Sequence, residues 1–404
     1  MPWNSTSVMD QKLQFIADCL GGEAPMTVLC ERYGISRETG HALKRRYLAE
    51  GPSGLEERSR APHRHGRATP AELVVRIVEL RRVKPYWGPK KLLTVLRRED
   101  PAARWPSSST VAEILKREGL SEPKRRRRRT LTMDQPFAAV TAPNDAWCAD
   151  FKGWFKTADG VRCDPLTVTD AFSRCLLGLE IVAPVGDAVE RVTDRLFREH
   201  GLPQAIRTDN GTPFASTGAG GLTRLSARWA KMGIRLERIQ PGQPQQNGRH
   251  ERMHRTLKRE ACRPPAATAA EQQERFEAFR HEFNHDRPHE ALGQHPPASV
   301  YAPSDRPFPE RLDDPCYAPE EHVRRVRTTG EIRWRGGLLF ISEALIGEAV
   351  AVREREDGHF LVRFADIPLV LIDRYSGKTA KFGAGRPPRA KPINKPNRTP
   401  LSGI

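Results

Sequence analysis

Three carboxylates in this 404-residue chain sit where side chains can be held for metal chemistry. The run Trp147-Cys148-Ala149-Asp150-Phe151 reads as a strand, and Ala205-Ile206-Arg207-Thr208-Asp209 as another that stops at Asn210-Gly211. Asp150 and Asp209 therefore end apolar stretches, and open α/β sheets collect ligands at such strand ends. The third, Glu251, follows the Pro- and Gly-rich segment from Gln240 and opens a polar helix running to Ala261. Helical offsets of four and seven put Glu251, Arg255 and Lys258 on one face. An acid and two cations in line also make an ordinary solvated salt-bridge ladder, so the helix by itself decides nothing. Oxygen donors from two strands and a helix suit a hard cation. Mg²⁺, with Mn²⁺ as a substitute, keeps waters and takes phosphate oxygens into its shell.

These acids lie in motifs that resemble a known family. Asp150, Asp209 with Asn210-Gly211, and Glu251 within Pro244-Gln245-Gln246-Asn247-Gly248-Arg249-His250-Glu251-Arg252 are similar to the Asp, Asp, Glu triad of retroviral-integrase-like transposases of bacterial insertion sequences. The run Phe283-Asn284-His285-Asp286-Arg287-Pro288-His289-Glu290-Ala291-Leu292, followed by Pro297 and Tyr301, resembles the segment that closes their catalytic domain. The resemblance covers residues 137–301 in the family's motif order. It implies a ribonuclease-H-like α/β core with a mixed five-stranded sheet, and two metal ions per active site. Asp150 would bridge both ions, Asp209 and Glu251 would each complete one shell, and Lys258 with Arg255 would hold the DNA backbone. The chain departs from the pattern in one respect. Asp209 and Glu251 lie 42 positions apart, more than is usual in the family, and the excess is assigned to the Gly-rich loop 215–222. Asp170, ending the next strand, rivals Asp150 for a metal role and is assigned to capping or turn duty.

The charge is uneven. The formal net charge is +17, yet residues 1–130 carry 27 Lys and Arg against 15 Asp and Glu, and residues 377–404 carry 7 against none. The middle, 33 against 35, is close to neutral. Basic ends around a neutral centre fit nucleic-acid arms flanking a reaction core. The 7 cysteines are scattered without a CxxC pair, which argues for a reducing compartment and against a disulfide framework or structural zinc site. Retroviral integrases carry a zinc-binding His and Cys domain at the amino end, and no such pattern occurs here. With no long apolar run and no signal-like start, the expected location is cytoplasmic, nucleoid-associated, with no membrane partner.

The elements that flank the core follow in order. Residues 1–50 read as a helix-turn-helix, with a turn at Gly34, buried Ile35, a Ser36 cap and a second helix from Arg37 to Leu48. Arg37, His41, Lys44 and Arg45 are its candidate DNA contacts, against the plain alternative of a helical bundle with a solvated basic face. An extended linker is expected over 51–68. A second, winged-helix-like helix-turn-helix spans 69–123, with Lys90 and Lys91 as contacts, Ser109 or Thr110 capping its last helix, and Trp87 and Trp105 in its core. The basic linker 124–136 holds Lys124, Arg125, Arg126, Arg127, Arg128 and Arg129, which would bind phosphates without reading sequence.

The catalytic core is expected over 137–302. Asp159-Gly160 signals a hairpin into a strand over 161–169, a third strand runs from Cys175 to Val182, and helices and strands alternate thereafter. Arg287 has a carboxylate, a phosphate or a helix end as candidate partners. After a linker at 303–322, short strands over 323–376, separated by turns such as Asp357-Gly358, read as a small SH3-like barrel. Residues 377–404 read as a basic disordered tail.

The chain thus reads as a multidomain α+β transposase that cleaves 3′ ends at its element's terminal repeats and joins them to target DNA. Double-stranded DNA is the expected partner, with homo-oligomers assembling on it; nothing in the sequence excludes a regulatory ATPase. Two other readings compete: a catalytically silent, sequence-specific DNA-binding regulator of transposase descent, and a ribonuclease-H-like nuclease.

Overall fold

Side chains alternate across the strand that carries Asp150, and this alternation builds the core. In the computed structural model, which describes residues 7–58, 68–121, 140–239 and 248–382, strand β1 is Trp147–Phe151. After it along the chain come the short ribbon β2 (Phe155–Lys156) and β3 (Arg162–Cys163), then β4 (Pro165–Asp170) and β5 (Leu176–Ile181). The Asp159-Gly160 turn closes only the β2–β3 ribbon, and the main strand starts at Pro165 rather than Val161. Trp147, Ala149, Leu166 and Val168 go to one face, where they meet Val189, Val192, Leu196 and Phe197 of helix α7 (Gly186–His200). Helix α8 (Arg224–Lys231) adds Leu225 and Trp229 to the same layer.

The central sheet is mixed and five-stranded, in the order β5-β4-β1-β6-β7, where β6 is Ala205–Thr208 and β7 is Arg235–Arg238. Strands β1, β4 and β5 pair antiparallel, while β6 runs parallel to both β1 and β7. On the opposite face lie α9 (Gly248–Glu260) and α10 (Ala269–His281). Their Met253, Leu257, Phe276 and Phe279 pack on Leu176 and Leu179 of β5. After α10 the chain makes a π-turn over Glu282–Asp286 instead of continuing as α-helix to His285.

Chain contacts divide the protein into Met1–Pro70 and Ala71–Ile404. The first unit packs α1 (Val8–Gly21), α2 (Met26–Arg32) and α3 (Arg37–Glu50) around Phe15, Ile16, Leu29 and Leu43. Ser36 caps α3 by accepting from the Thr39 N–H at 3.1 Å, as its position implies, while Ile35 is half-buried rather than buried. A Cβ on Gly40 would lie 2.5 Å from Cys30 Sγ, so only glycine lets α3 approach α2 this closely. The stretch expected to begin an extended linker instead forms a 3₁₀ turn, Gly51–Leu55, because Leu55 is fully buried beneath the helices.

In the second unit, α4 (Ala71–Val83), α5 (Pro89–Glu99) and α6 (Ser108–Arg117) surround Ile77, Leu92, Val111 and the buried Trp87. Ser107, two residues before the expected Ser109, caps α6 by accepting from the Thr110 N–H. Trp105 is half-buried against the same cluster, its ring N–H donating to the Asp100 carbonyl at 3.0 Å.

The C-terminal strands do not close into the expected barrel. Strands β8 (His322–Arg325), β11 (Ala349–Glu354), β12 (Phe360–Phe364), β13 (Ile367–Ile372) and β14 (Thr379–Lys381) form a sheet in the order β14-β13-β12-β11-β8. Its ends, β14 and β8, are not paired with each other, while β9 (Glu331–Trp334) and β10 (Gly337–Phe340) make a separate ribbon. The core packs against the sheet in place of closure. Ala219, Leu222, Ala227 and Ala230 share one apolar cluster with Val350, Phe364 and Leu369.

Candidate active site

The pleat that points Trp147 and Ala149 into the α7 layer turns Cys148 and Asp150 to the face beneath α9. Across the antiparallel ladder Asp150 stands opposite Thr167, and Cys148 opposite Thr169. Asp209 follows β6 directly, where the Gly211 N–H donates to its carboxylate at 3.2 Å and Asn210 donates to the Ile239 carbonyl at 2.7 Å. Glu251 occupies the first turn of α9, where the positive end of the helix favours an acid. Glu251, Arg255 and Lys258 are all exposed along this helix.

Electrostatics tie the three acids together. Burial pushes the Asp150 carboxyl up to about 7, and the charges of Asp209 and Glu251 push it the same way against a hydrogen bond from the Phe151 backbone. The charges of Asp209 and Glu251 on the half-buried Asp150 carboxyl are what a divalent cation would relieve, so these oxygen donors fit the metal that their chemistry implies.

Asp170 performs turn duty. It is buried and accepts from the backbone N–H groups of Asn144 and Ser173 and from the Ser173 hydroxyl, at 2.8, 2.7 and 2.6 Å. Burial raises its pKa, and these hydrogen bonds oppose the rise.

Two histidines missed in the sequence complete the site. His250 and His254 stack edge to face at 4.6 Å, and both bring Nε2 to the Thr167 hydroxyl, at 2.6 and 2.7 Å. The same hydroxyl donates to the Asp150 carbonyl at 2.9 Å. A hydroxyl has one proton, so all three contacts are hydrogen bonds only if both imidazoles carry a proton at Nε2. His250 Nδ1 then accepts from Thr169 at 3.0 Å. Burial pushes His250 down to about 3 and His254 to about 2, consistent with neutral rings. Asp150, His250 and His254 bring ligand atoms within 4.8 Å of one another, but the Nε2 atoms are spent on Thr167. Their sequence signal is a His pair four apart on a helix, next to the acid.

Matches to known proteins place the chain in a family. Models of the integrase core domain match residues 140–244 and 232–297, a helix-turn-helix domain matches 11–63, and a homeodomain-like domain matches 39–115. The chain is 30% identical to the uncharacterized 31.7 kDa protein of insertion element IS407 of Burkholderia multivorans, over 57% of this chain and 80% of that protein. It is 31% identical to the uncharacterized 39.2 kDa protein of insertion element IS476 of Xanthomonas euvesicatoria, over 60% of this chain and 69% of that one. The chain belongs to the insertion-sequence transposases with an integrase-like core. Among solved structures it is similar to a simian T-cell lymphotropic virus intasome in complex with PP2A regulatory subunit B56 gamma, at 15% identity and a TM-score of 0.35, covering 72% of this chain and 97% of that one.

The remaining candidate residues of this transposase are dispersed. Arg37, His41 and Arg45 are exposed on α3, whereas the Lys44 ammonium turns inward to the Cys19 carbonyl at the end of α1. Lys90 pairs with Glu290 of the core at 2.5 Å, and Lys91 is drawn into the junction between α5 and the core. Lys124 and Arg125 through Arg129 lie outside the described residues, as do 240–247 of the loop before α9 and the basic tail beyond 382. Arg287 resolves to a carboxylate partner. Its buried guanidinium grips Glu260 at the end of α9, at 2.5 and 3.0 Å. Lys152, which the sequence did not single out, is half-buried just past β1, where burial and the charge of Lys258 lower its pKa. No helix among the described residues is long and apolar enough to cross a membrane.

Proposed function

We propose that this transposase binds the terminal repeats of its element, cleaves their 3′ ends and transfers them to target DNA at Asp150, Asp209 and Glu251. The observation that carries this reading is the parallel register of β1 and β6, which brings Asp150 and Asp209 to adjacent strand ends, with Glu251 in the first turn of α9 and its charge acting on Asp150. Asp150 would hold two ions in common, and Asp209 and Glu251 one each. Bound Mg²⁺, or Mn²⁺ in its place, supplies activation of an attacking oxygen and charge neutralisation at a leaving 3′ oxygen. The chain's own part is placement. The imidazoles of His250 and His254 hold α9 on the sheet through Thr167, and would keep Glu251 toward the strand ends without adding charge. Lys258 and Arg255, exposed beyond Glu251 on α9, would grip the backbone of the reacting strand. The exposed α3 cations would read the repeat. Chains would pair on two DNA ends.

The test is end cleavage and strand transfer on duplex DNA from the genomic flanks of the coding sequence, with Mg²⁺ or Mn²⁺, comparing wild type with Glu251→Gln. Metal-dependent nicks and joined products that vanish in the variant are expected. Tight, sequence-selective binding with no cleavage under either metal would favour the silent DNA-binding regulator. Lys258→Ala should weaken DNA engagement while leaving Mn²⁺ affinity intact.

A further inference from the structure

Helix α9 has two polar flanks. Glu251, Arg255 and Lys258 form one; Arg249, Arg252 and Thr256 form the other, about a third of a turn away. The second flank borders a cavity of about 390 Å³ closed by the β4–β5 turn, by Lys91 of α5 and by residues Phe283 to Ala291. Lys91, Arg174, Arg249, Arg252 and Arg287 all line it.

The acids that could neutralise these cations are already engaged. Glu260 is taken by Arg287 through two hydrogen bonds, Glu290 pairs with Lys90, and Asp170 is spent inside its own turn. Arg249 donates to the Ala171 carbonyl at 3.1 Å. By contrast, Arg174 Nε is buried with no hydrogen-bond partner, and so is His289 Nε2 in the same wall. Among the described residues the Lys91 ammonium makes no ion pair. The backbone of Arg174 is itself in the left-handed region, at φ 67°, a conformation that a non-glycine residue adopts at a cost and that here accompanies a guanidinium in the cavity wall. Burial drives Lys91 down to about 8 and Arg174 to about 10; Arg287 adds to the first and Arg249 and Arg252 to the second, against Glu260 and Glu290 at Lys91 and Cys148 and Asp170 at Arg174. Buried like charges with unfilled donors are costly unless an anion joins them.

We propose that this cavity is a phosphate-binding site, separate from the three carboxylates, whose occupant bridges Lys91 of the α4–α6 unit to Arg174 of the core. Guanidinium and ammonium donors around one pocket recognise phosphate oxygens, and an anion beside His289 would favour its protonated, donating form. The phosphate belongs either to a DNA strand crossing the junction or to a free phosphate ion.

The two sources separate in one experiment on the full chain carrying Glu251→Gln, so that no cleavage intervenes. Arg174→Gln and Lys91→Met, each on that background, are compared with it. Inorganic phosphate, titrated against chloride at equal ionic strength, should raise the unfolding midpoint of the parent and of neither variant. Duplex DNA affinity is then measured across salt concentrations. If a DNA phosphate occupies the site, either variant lowers the salt slope by about one and weakens binding roughly fivefold at physiological salt. An unchanged slope with the phosphate response lost assigns the site to free phosphate. A phosphate response equal in parent and variants, or absent from the parent together with an unchanged slope, overturns the proposal. Two substitutions on different elements keep the test decisive if one of them fails to fold.

Discussion

The Asp150 carboxyl is raised from 3.8 to about 7, by burial first and by the charges of Asp209 and Glu251 next. Between those values the folded chain binds a proton that the unfolded chain has released. The stability this group contributes is therefore full below pH 3.8 and lost as the pH rises through 7. In chelator, Asp150→Asn should accordingly melt above wild type at pH 8, by on the order of 5 °C, with the gap closing as the pH falls towards 4. Mg²⁺ or Mn²⁺ should reverse the order, because a cation stabilises the charged carboxylate and has nothing to grip in asparagine. Thermal melts at pH 4, 6 and 8 with and without metal check this; curves that stay parallel at every pH would remove the coupling of the three acids.

Helix α9 is fastened at both ends by devices that leave no net charge exposed. Near its start, one Thr167 hydroxyl serves two imidazoles and the Asp150 carbonyl. At its end, Arg287 locks Glu260 with side chains only 7% and 12% exposed, so this pair is desolvated and its loss would strand a buried charge. Thr167→Val removes the shared hydroxyl at nearly constant volume and orphans two imidazole N–H groups. It should destabilise the protein by roughly 1–3 kcal/mol for each orphaned group. Strand transfer should fall further than DNA binding, since Glu251 rides on the loosened end, and Thr167→Ser should restore both. Denaturant unfolding together with the joining assay reads the two effects. Equal loss of binding and joining would make Thr167 a general stabiliser of the fold.

On the scale of the whole molecule, the Gly-rich loop 215–222, to which the extra spacing between Asp209 and Glu251 is assigned, has a structural task. Gly220, at φ 61°, sits where a Cβ would come within 2.9 Å of Leu369 and 3.1 Å of Ile367 in the C-terminal sheet. Lys381 donates to the Thr217 carbonyl at 2.6 Å, and Lys231 pairs with Glu348 at 2.7 Å across the same junction. The loop is a docking surface, and the sheet it receives is not an independent module. Gly220→Val should cost about 1–3 kcal/mol from overpacking, with backbone strain added. Proteolysis should then release the C-terminal sheet at protease concentrations that leave wild type intact. Unchanged resistance would show that the two parts do not share a core.

The sequence by itself determined what local rules encode. Apolar runs ending in aspartate located the strands of Asp150 and Asp209, the Ser36 cap located α3, and motif order pointed to an integrase-like core, because each signal lies within a few neighbouring residues. Tertiary structure decided everything that depends on partners distant in the chain. The pairing of Thr167 with His250 and His254 spans more than 80 positions, and the Arg174 wall of the basic cavity faces a lysine of α5, more than 80 positions earlier in the chain. The open C-terminal sheet belongs with these. Short strands in a row say that β-structure forms, but whether its edges join each other depends on what else covers the apolar face, and here the core covers it. Contacts of that kind carry no local signature, since the free energy that selects them comes from burial shared between elements far apart in sequence.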